Sequence, residues 1–571
     1  MKYHFIILLF FLVLGNYAHA QRLIHSELLG RPTNNSITMQ AFFDNPVEAC
    51  LQYGTQSGVY GNQTNWFRAN SNEPVEIIIS NLAANTKYYY RMCYRSPDSI
   101  NSIFRPEYCF HTQRDPMSTF SFVIQADPHL DEQSDSLLYK RCLLNQLEDK
   151  PDFMVDLGDI FMSDKLKNSA GKITRDTITY RCHLMRSYYE NSCHSVPLFM
   201  ALGNHEGESG WQLNGTSENI AIWGTLERKK YFVNPAPDSF YTGDLTDHKY
   251  VGQRENYYAW NWGNSLFIVI DPYWYTSPKP DSLNGWRWTL GKTQYDWLKT
   301  TLENSNATFK FVFAHQIIGG DPNGRGGVEY ANRYEWGGNN LNGSYGFNSN
   351  RPGWYKPIKD LLTENRVTIF FHGHDHFFGK QEKNCLIYQE VPQPSHPNFI
   401  SVNYARDYGY LEGQILPNSG HLRVSVNPNG VKVDYVRAYL PKNETNNRKN
   451  KDVSATYFIG TTNCYDTIMT STPVVWNANY VDELVFPNPF EKETTIEFEL
   501  LRSELINICI LNSEGIVVNK LIKEKNIDVG KYQIVWDGKD SFGNLLPSGM
   551  YFYSITGKNL NEKTGKIFLK R

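Results

Sequence analysis

The stretch Phe120-Ser121-Phe122-Val123-Ile124-Gln125-Ala126, followed at once by Asp127-Pro128-His129, decides how the middle of this chain is read. A short run of mainly apolar residues has the length of a buried β-strand, and just past it stand an aspartate and a histidine two positions apart. The arrangement recurs. Apolar runs at 153–157, 196–202, 266–270, 309–314 and 367–371 predict further strands, while 136–147, 293–302 and 355–362 repeat apolar residues at intervals of three and four and predict helices. Strands alternating with helices make an α/β core.

Polar clusters lie just beyond the ends of these runs. Gly158-Asp159 follows the second, Gly203-Asn204-His205-Glu206 the third, His315 the fifth and Gly373-His374-Asp375-His376 the sixth. Ligand sites in open α/β sheets gather at the carboxyl ends of strands, where rigid elements aim several side chains at one point. Imidazole nitrogen, carboxylate and amide oxygen together suit two divalent or trivalent ions such as Zn, Mn or Fe, and no thiolate takes part. A carboxylate such as Asp159 can use both oxygens to bridge two cations ~3.5 to 4 Å apart. Isolated histidines such as His183, His248 and His372 read as packed or surface residues, and Asp156, Asp375 and Glu206 as supports for the loops that carry the donors.

Outward from this core the rhythm changes. Residues 22–113 are short alternating runs separated by Asn, Gly and Pro, the pattern of a small β-sandwich. Before them, Lys2, an apolar run at 5–14 and Ala18-His19-Ala20 read as a secretory signal peptide over residues 1–20. That run is too short to span a bilayer, which takes about 20 residues, so no transmembrane segment is expected. A hairpin is expected around Asn429-Gly430, a polar linker over 441–484, and a last β-rich module over 485–571. The domains expected are therefore 1–20, 21–116, 117–440, 441–484 and 485–571. A formal net charge of −3 provides no long-range field that would make nucleic acid an obligatory partner. Nine cysteines in an exported chain allow a few disulfides and leave at least one thiol without a partner in the chain.

Taken in order, D-x-H, G-D, G-N-H-E, a single histidine after a strand and G-H-x-H resemble the calcineurin-like metallophosphoesterases, over about residues 119–440. The resemblance implies two packed mixed β-sheets flanked by helices. It implies one metal held by Asp127, His129, Asp159 and His376 and a second by Asp159, Asn204, His315 and His374, with Asp159 bridging. It further implies that His205 contacts the phosphoryl group and assists the leaving oxygen, and that a hydroxide bridging the metals attacks phosphorus in line. The implied activity is hydrolysis of a small phosphate ester, phosphomonoesters ahead of phosphodiesters or nucleotides. A binding protein with an idle metal site is the alternative.

An N-terminal sandwich before this fold resembles the layout of purple acid phosphatases, and 82–91 resembles the tyrosine corner of a fibronectin type III domain. Two residues depart from the purple enzymes: His129 replaces the glycine of D-x-G, and Met162 the tyrosine of G-D-x-x-Y, so a colourless site is expected. Two long insertions, 207–264 and 319–353, are expected to shape the pocket. Arg325 or Arg333 would contact phosphate, and an aromatic side chain would stack on the leaving group. The last module, with Phe486-Pro487-Asn488-Pro489-Phe490, Trp536-Asp537-Gly538 and Gly549-Met550-Tyr551, resembles the C-terminal sorting domain of the type IX secretion system of Bacteroidetes. That implies export through the periplasm to the surface or the medium, with the secretion machinery as partner.

Overall fold

The computed structural model describes residues 22–160, 162–168, 170–281, 284–321, 323–461, 483–500, 503–528, 530–557 and 560–571. The expected signal peptide lies outside them. The chain divides into two compact units, Met1–Asn463 and Cys464–Arg571.

The first unit opens with the expected β-rich region. Leu23–Gly30, Ile37–Phe43 and Pro74–Ile79 form one antiparallel sheet, and Val47–Gly54 with Lys87–Arg95 centre the other. Ile77, Tyr90 and Phe110 are among the side chains of their shared core. The Tyr88 hydroxyl accepts a hydrogen bond from the Ala83 backbone N–H at 2.9 Å, tying a corner of the second sheet to the turn just upstream. This region is fastened to the α/β core through Arg186. The Arg186 guanidinium, fully buried, donates to the Ser26 and Gln40 carbonyls at 2.6 and 3.0 Å.

The α/β core consists of two mixed sheets. In the first, Phe120–Gln125, Phe153–Asp156 and Leu198–Met200 run parallel, and the antiparallel hairpin Gly420–Asn427/Gly430–Arg437 continues the sheet. In the second, Ser265–Val269, Phe309–Phe313, Ile369–His372 and Leu386–Glu390 run parallel at the centre of eight strands. Alternation along the strands builds the layers. Phe120, Phe122 and Ile124 face Phe267, Phe311 and Phe313 between the sheets. The intervening Val123 packs outward beneath Tyr139 and Leu143 of the helix Ser136–Glu148, and Val312 beneath Leu298 of the helix Lys292–Glu303. Both faces of each parallel core are thus covered, which is why these strands read as continuous apolar runs.

Two expectations change. The helix expected at 355–362 is Ile358–Glu364, because Pro357 occupies its N-cap and holds the residue before it out of the helical region. Residues 441–484 are not linker throughout: Val453–Gly460 pairs with Gly430–Arg437 as the edge strand of the first sheet. The hairpin expected around Asn429-Gly430 forms, Asn427 pairing with Gly430 across Pro428-Asn429. The insertion 207–264 holds a helix at Ile220–Tyr231 and a strand at Tyr258–Trp262.

In the second unit, Glu483–Phe486, Thr494–Leu500 and Gly530–Trp536 form one antiparallel sheet. Glu504–Leu511, Val517–Ile527, Gly549–Gly557 and Leu560–Leu569 form another. Ile508, Ile555 and Trp536 lie in its core. Cys385 is disulfide-bonded, and the free thiols include Cys50, Cys93, Cys142 and Cys182.

Candidate metal centre

The seven expected donors come from loops at the carboxyl ends of parallel strands, and their backbone is unusual. Asp127, His129, Asp159, His374 and His376 all have φ between 50° and 80°. This left-handed region is sparsely used outside glycine, and such strain persists where surrounding structure enforces it, commonly at functional sites. Two glycines of the motifs permit the crowding. A Cβ on Gly203 would collide with Asp159, and one on Gly373 with Asp127.

The side chains gather into two adjoining clusters of potential ligands, Asp127/His129/His376 and Asp159/His315/His374. Asp127 Oδ1 lies 3.7 Å from His129 Nε2 and 3.4 Å from His376 Nε2. Asp159 Oδ2 lies 3.1 Å from His315 Nε2 and 3.6 Å from His129 Nε2, so one oxygen faces donors of both clusters. Hydrogen bonds at the far sides of two rings select the nitrogen left for a cation. His315 donates from Nδ1 to the Leu157 carbonyl at 3.0 Å, and His374 from Nε2 to the Asn323 carbonyl at 2.9 Å.

These residues fit a metal. Asp127 Oδ1, His129 Nε2 and Asn204 Oδ1 are buried with no hydrogen-bond partner among the described residues, although buried polar atoms are rarely left so. Burial would raise the carboxyls of Asp127 and Asp159, yet neighbouring histidine charge, His315 foremost, holds both low; in return those carboxylates push His315 up to about 9 against its own burial. A pocket that keeps a proton on a buried imidazole is one that draws positive charge.

The supporting acids occupy distinct posts. Glu206 accepts backbone N–H groups of Asp159, Ile160 and Gly203 at 3.1, 2.7 and 2.5 Å, joining two motifs. Asp156 accepts from Gln125, Tyr189 and the Gly158 N–H. Asp375 binds Arg325 Nη1 at 2.9 Å and the Tyr410 hydroxyl at 2.8 Å. His372 pairs with Glu390 at 2.7 Å beneath the site, and neither His183 nor His248 joins a donor cluster among the described residues.

A cavity of about 280 Å³ adjoins the donors, lined in part by Asn204, His205, Trp211, Lys279, Arg325 and His374. Of the two expected arginines only Arg325 reaches it; Arg333 lies over the Tyr330 ring at 4.2 Å. Of the aromatic residues Trp211, Trp223, Tyr231, Tyr241 and Tyr258 in the insertion 207–264, Trp211 lines the cavity, Tyr231, Tyr241 and Tyr258 are core, and Trp223 packs against that core. Sequence reasoning passed over Lys279 and Trp288, which come from irregular segments with no periodic signal. A larger cavity, about 750 Å³, opens at the other ends of the strands beside Ser265 and Thr308 and contains none of the donors.

Residues 120–378 match the calcineurin-like phosphoesterase family model. The chain carries a calcineurin-like phosphoesterase domain. Residues 484–570 match the secretion system C-terminal sorting domain. A solved structure described as PhoD shares the fold of the phosphoesterase domain and its surroundings, at TM-score 0.55 and 14% identity over 77% of this chain and 90% of that one. So does the purple acid phosphatase PPD1 from yellow lupin (Lupinus luteus) seeds, at TM-score 0.51 and 15% identity over 76% of this chain and 74% of that one. No curated protein matches in sequence. No helix among the described residues is long and apolar enough to cross a membrane.

Proposed function

We propose that the calcineurin-like phosphoesterase domain is an exported hydrolase of phosphate esters working with two metal ions, and that it acts on phosphomonoesters ahead of phosphodiesters. The observation that carries the reading is the set of buried donor atoms on Asp127, His129 and Asn204 that have no hydrogen-bond partner among the described residues, set among the two clusters at the strand ends. Asp127, His129, Asp159 and His376 would hold one ion, and Asp159, Asn204, His315 and His374 the other, with Asp159 shared. When bound, such a pair lowers the pKa of water and neutralises charge on phosphoryl oxygens.

The chain's own residues account for the rest. His205 has its backbone N–H bonded to Asp159 Oδ1 at 2.8 Å, and its Nε2 lies 3.9 Å from Asp159 Oδ2, which places the ring at the mouth of the site. There Nε2 can contact the phosphoryl group and deliver a proton to the leaving oxygen. Arg325 uses only Nη1 on described protein partners, the His374 carbonyl and Asp375, leaving further N–H donors for phosphate. A third positive centre beside two ions suits the dianionic phosphoryl of a monoester.

The sorting-domain match supports export through the type IX machinery to the surface or medium. Metal analysis of the purified full chain, with p-nitrophenyl phosphate and bis(p-nitrophenyl) phosphate assayed in parallel, tests the catalytic reading. About two ions per chain and faster monoester turnover are expected. Metal-loaded protein inert on both esters would leave a binding role.

A further inference from the structure

Resting on this phosphoesterase reading, we propose that Lys279 and Trp211 form a subsite for a leaving group that carries a second negative charge, a carboxylate or another phosphate. The two cations lining the cavity are not equivalent. The Arg325 guanidinium is matched by Asp375 at 2.9 Å and lies over the Tyr408 ring at 4.1 Å. The Lys279 ammonium lies 5.9 Å from the Trp211 ring centroid and has no carboxylate partner among the described residues; the nearby Asp281 is taken by Arg287. A cation held at an indole face, at the outer limit of cation–π distance, remains free to take an anion.

Trp288 stands in the same wall. It is 3% exposed, and its ring centroid lies 5.9 Å from that of Trp211 with the planes at 85°, edge to face. Such packing holds the Trp211 ring as a fixed flat surface for a leaving group.

Position assigns these groups to the leaving side of the ester. His205, which delivers the proton to the departing oxygen, lines the cavity together with Trp211 and Lys279. A planar or apolar leaving alcohol can rest against the Trp211 ring while its charged end reaches Lys279. Arg325, beside His374, is left to the phosphoryl group being transferred.

The test compares phenyl phosphate with 4-carboxyphenyl phosphate on the metal-loaded full chain, before and after Lys279→Met. Lys279 is exposed, so its replacement leaves the fold intact. The expected result is a loss of about fivefold in kcat/KM on the carboxylated ester, borne by KM, with less than about twofold change on phenyl phosphate, the scale of one partly solvated charge pair. Lys279→Arg should recover most of it. Equal losses on both esters, or none on either, overturn the subsite while leaving the phosphoesterase reading standing. Wild-type protein inert on both esters overturns the phosphoesterase reading and the subsite with it.

Discussion

The backbone N–H of His374 donates to Oδ2 of Asp127 at 2.9 Å, across 247 residues of chain. One carboxylate can therefore do two jobs: Oδ2 fixes the loop that carries His374 and His376, and Oδ1, with no hydrogen-bond partner among the described residues, is available to the proposed cation site. Asp127→Asn separates them, because an amide oxygen can still accept from His374 while the amide nitrogen cannot ligate. Thermal stability of the metal-free variant should stay within a few degrees of the parent, while bound metal falls by about one ion per chain. Full metal content by elemental analysis would contradict the assignment of Asp127 as a ligand.

Glu206 joins the Gly158-Asp159 and Gly203-Asn204 motifs by accepting three backbone N–H groups. Glu206→Gln puts an amide donor against at least one of those N–H groups, in a fully enclosed place. Metal affinity should weaken about 10- to 100-fold, the usual scale for removing a support behind ligands. Titration with a competing chelator measures it. An unchanged dissociation constant would mean that the loops hold their shape without this acid.

His205 should behave differently from the ligands. His205→Ala is expected to keep its metal and lose about 10²- to 10⁴-fold in kcat, the range for a positioned proton donor. The loss should be smaller for p-nitrophenyl phosphate than for an alkyl phosphate, since p-nitrophenolate leaves without a proton. A loss independent of the leaving group would limit His205 to phosphoryl binding.

Met162, 3% exposed, is the residue that the sequence resemblance sets against the tyrosine of the purple enzymes, and a thioether offers no phenolate to a ferric ion. Protein loaded with iron should lack a strong visible absorption band. Met162→Tyr is the matching variant, and a band appearing only there would confirm the cause. A strong band in the parent protein would show that another phenolate reaches the site.

Much of the site was legible because its donors follow buried strands, and a run such as Phe120 to Gln125 announces both the strand and its end. What stayed hidden depends on long-range packing. The helix Arg175–Tyr189 buries Arg181 and Arg186 among its apolar residues, so its inward face does not read as apolar. Val453–Gly460 is an edge strand that buries only Ala455, leaving little alternation to detect. Lys279 and Trp288 reach the cavity through a loop folded back on itself, the Thr289 N–H donating to the Thr276 hydroxyl at 3.0 Å, and no local pattern encodes that path. Arg325 and Arg333 are nearly equivalent in sequence; in the fold Arg325 binds Asp375 and the His374 carbonyl beside the cavity, whereas Arg333 lies over the Tyr330 ring.

The seam between the N-terminal region and the α/β core should weaken in acid. His25 Nε2 lies 2.6 Å from His183 Nδ1, and His183 Nε2 lies 2.7 Å from the Tyr231 hydroxyl, a chain that works with neutral rings. Burial, then the charges of Arg186 and His183, push His25 down to about 3; burial, then Lys230, lowers His183 as well. Both folded values lie below the unfolded value near 6.5, so unfolding takes up protons, and this stability is complete above about pH 6.5 and drains away as pH falls toward 3. For His25 alone the loss between pH 7 and 5 is about 2 kcal/mol, the slope approaching about 1.4 kcal/mol per pH unit once pH is well below the unfolded pKa. His25→Gln keeps a neutral polar side chain and removes the titration, so its Tm should decline less steeply from pH 7 to pH 5 than the parent's. Parallel Tm profiles for the two proteins would show that the acid sensitivity arises elsewhere.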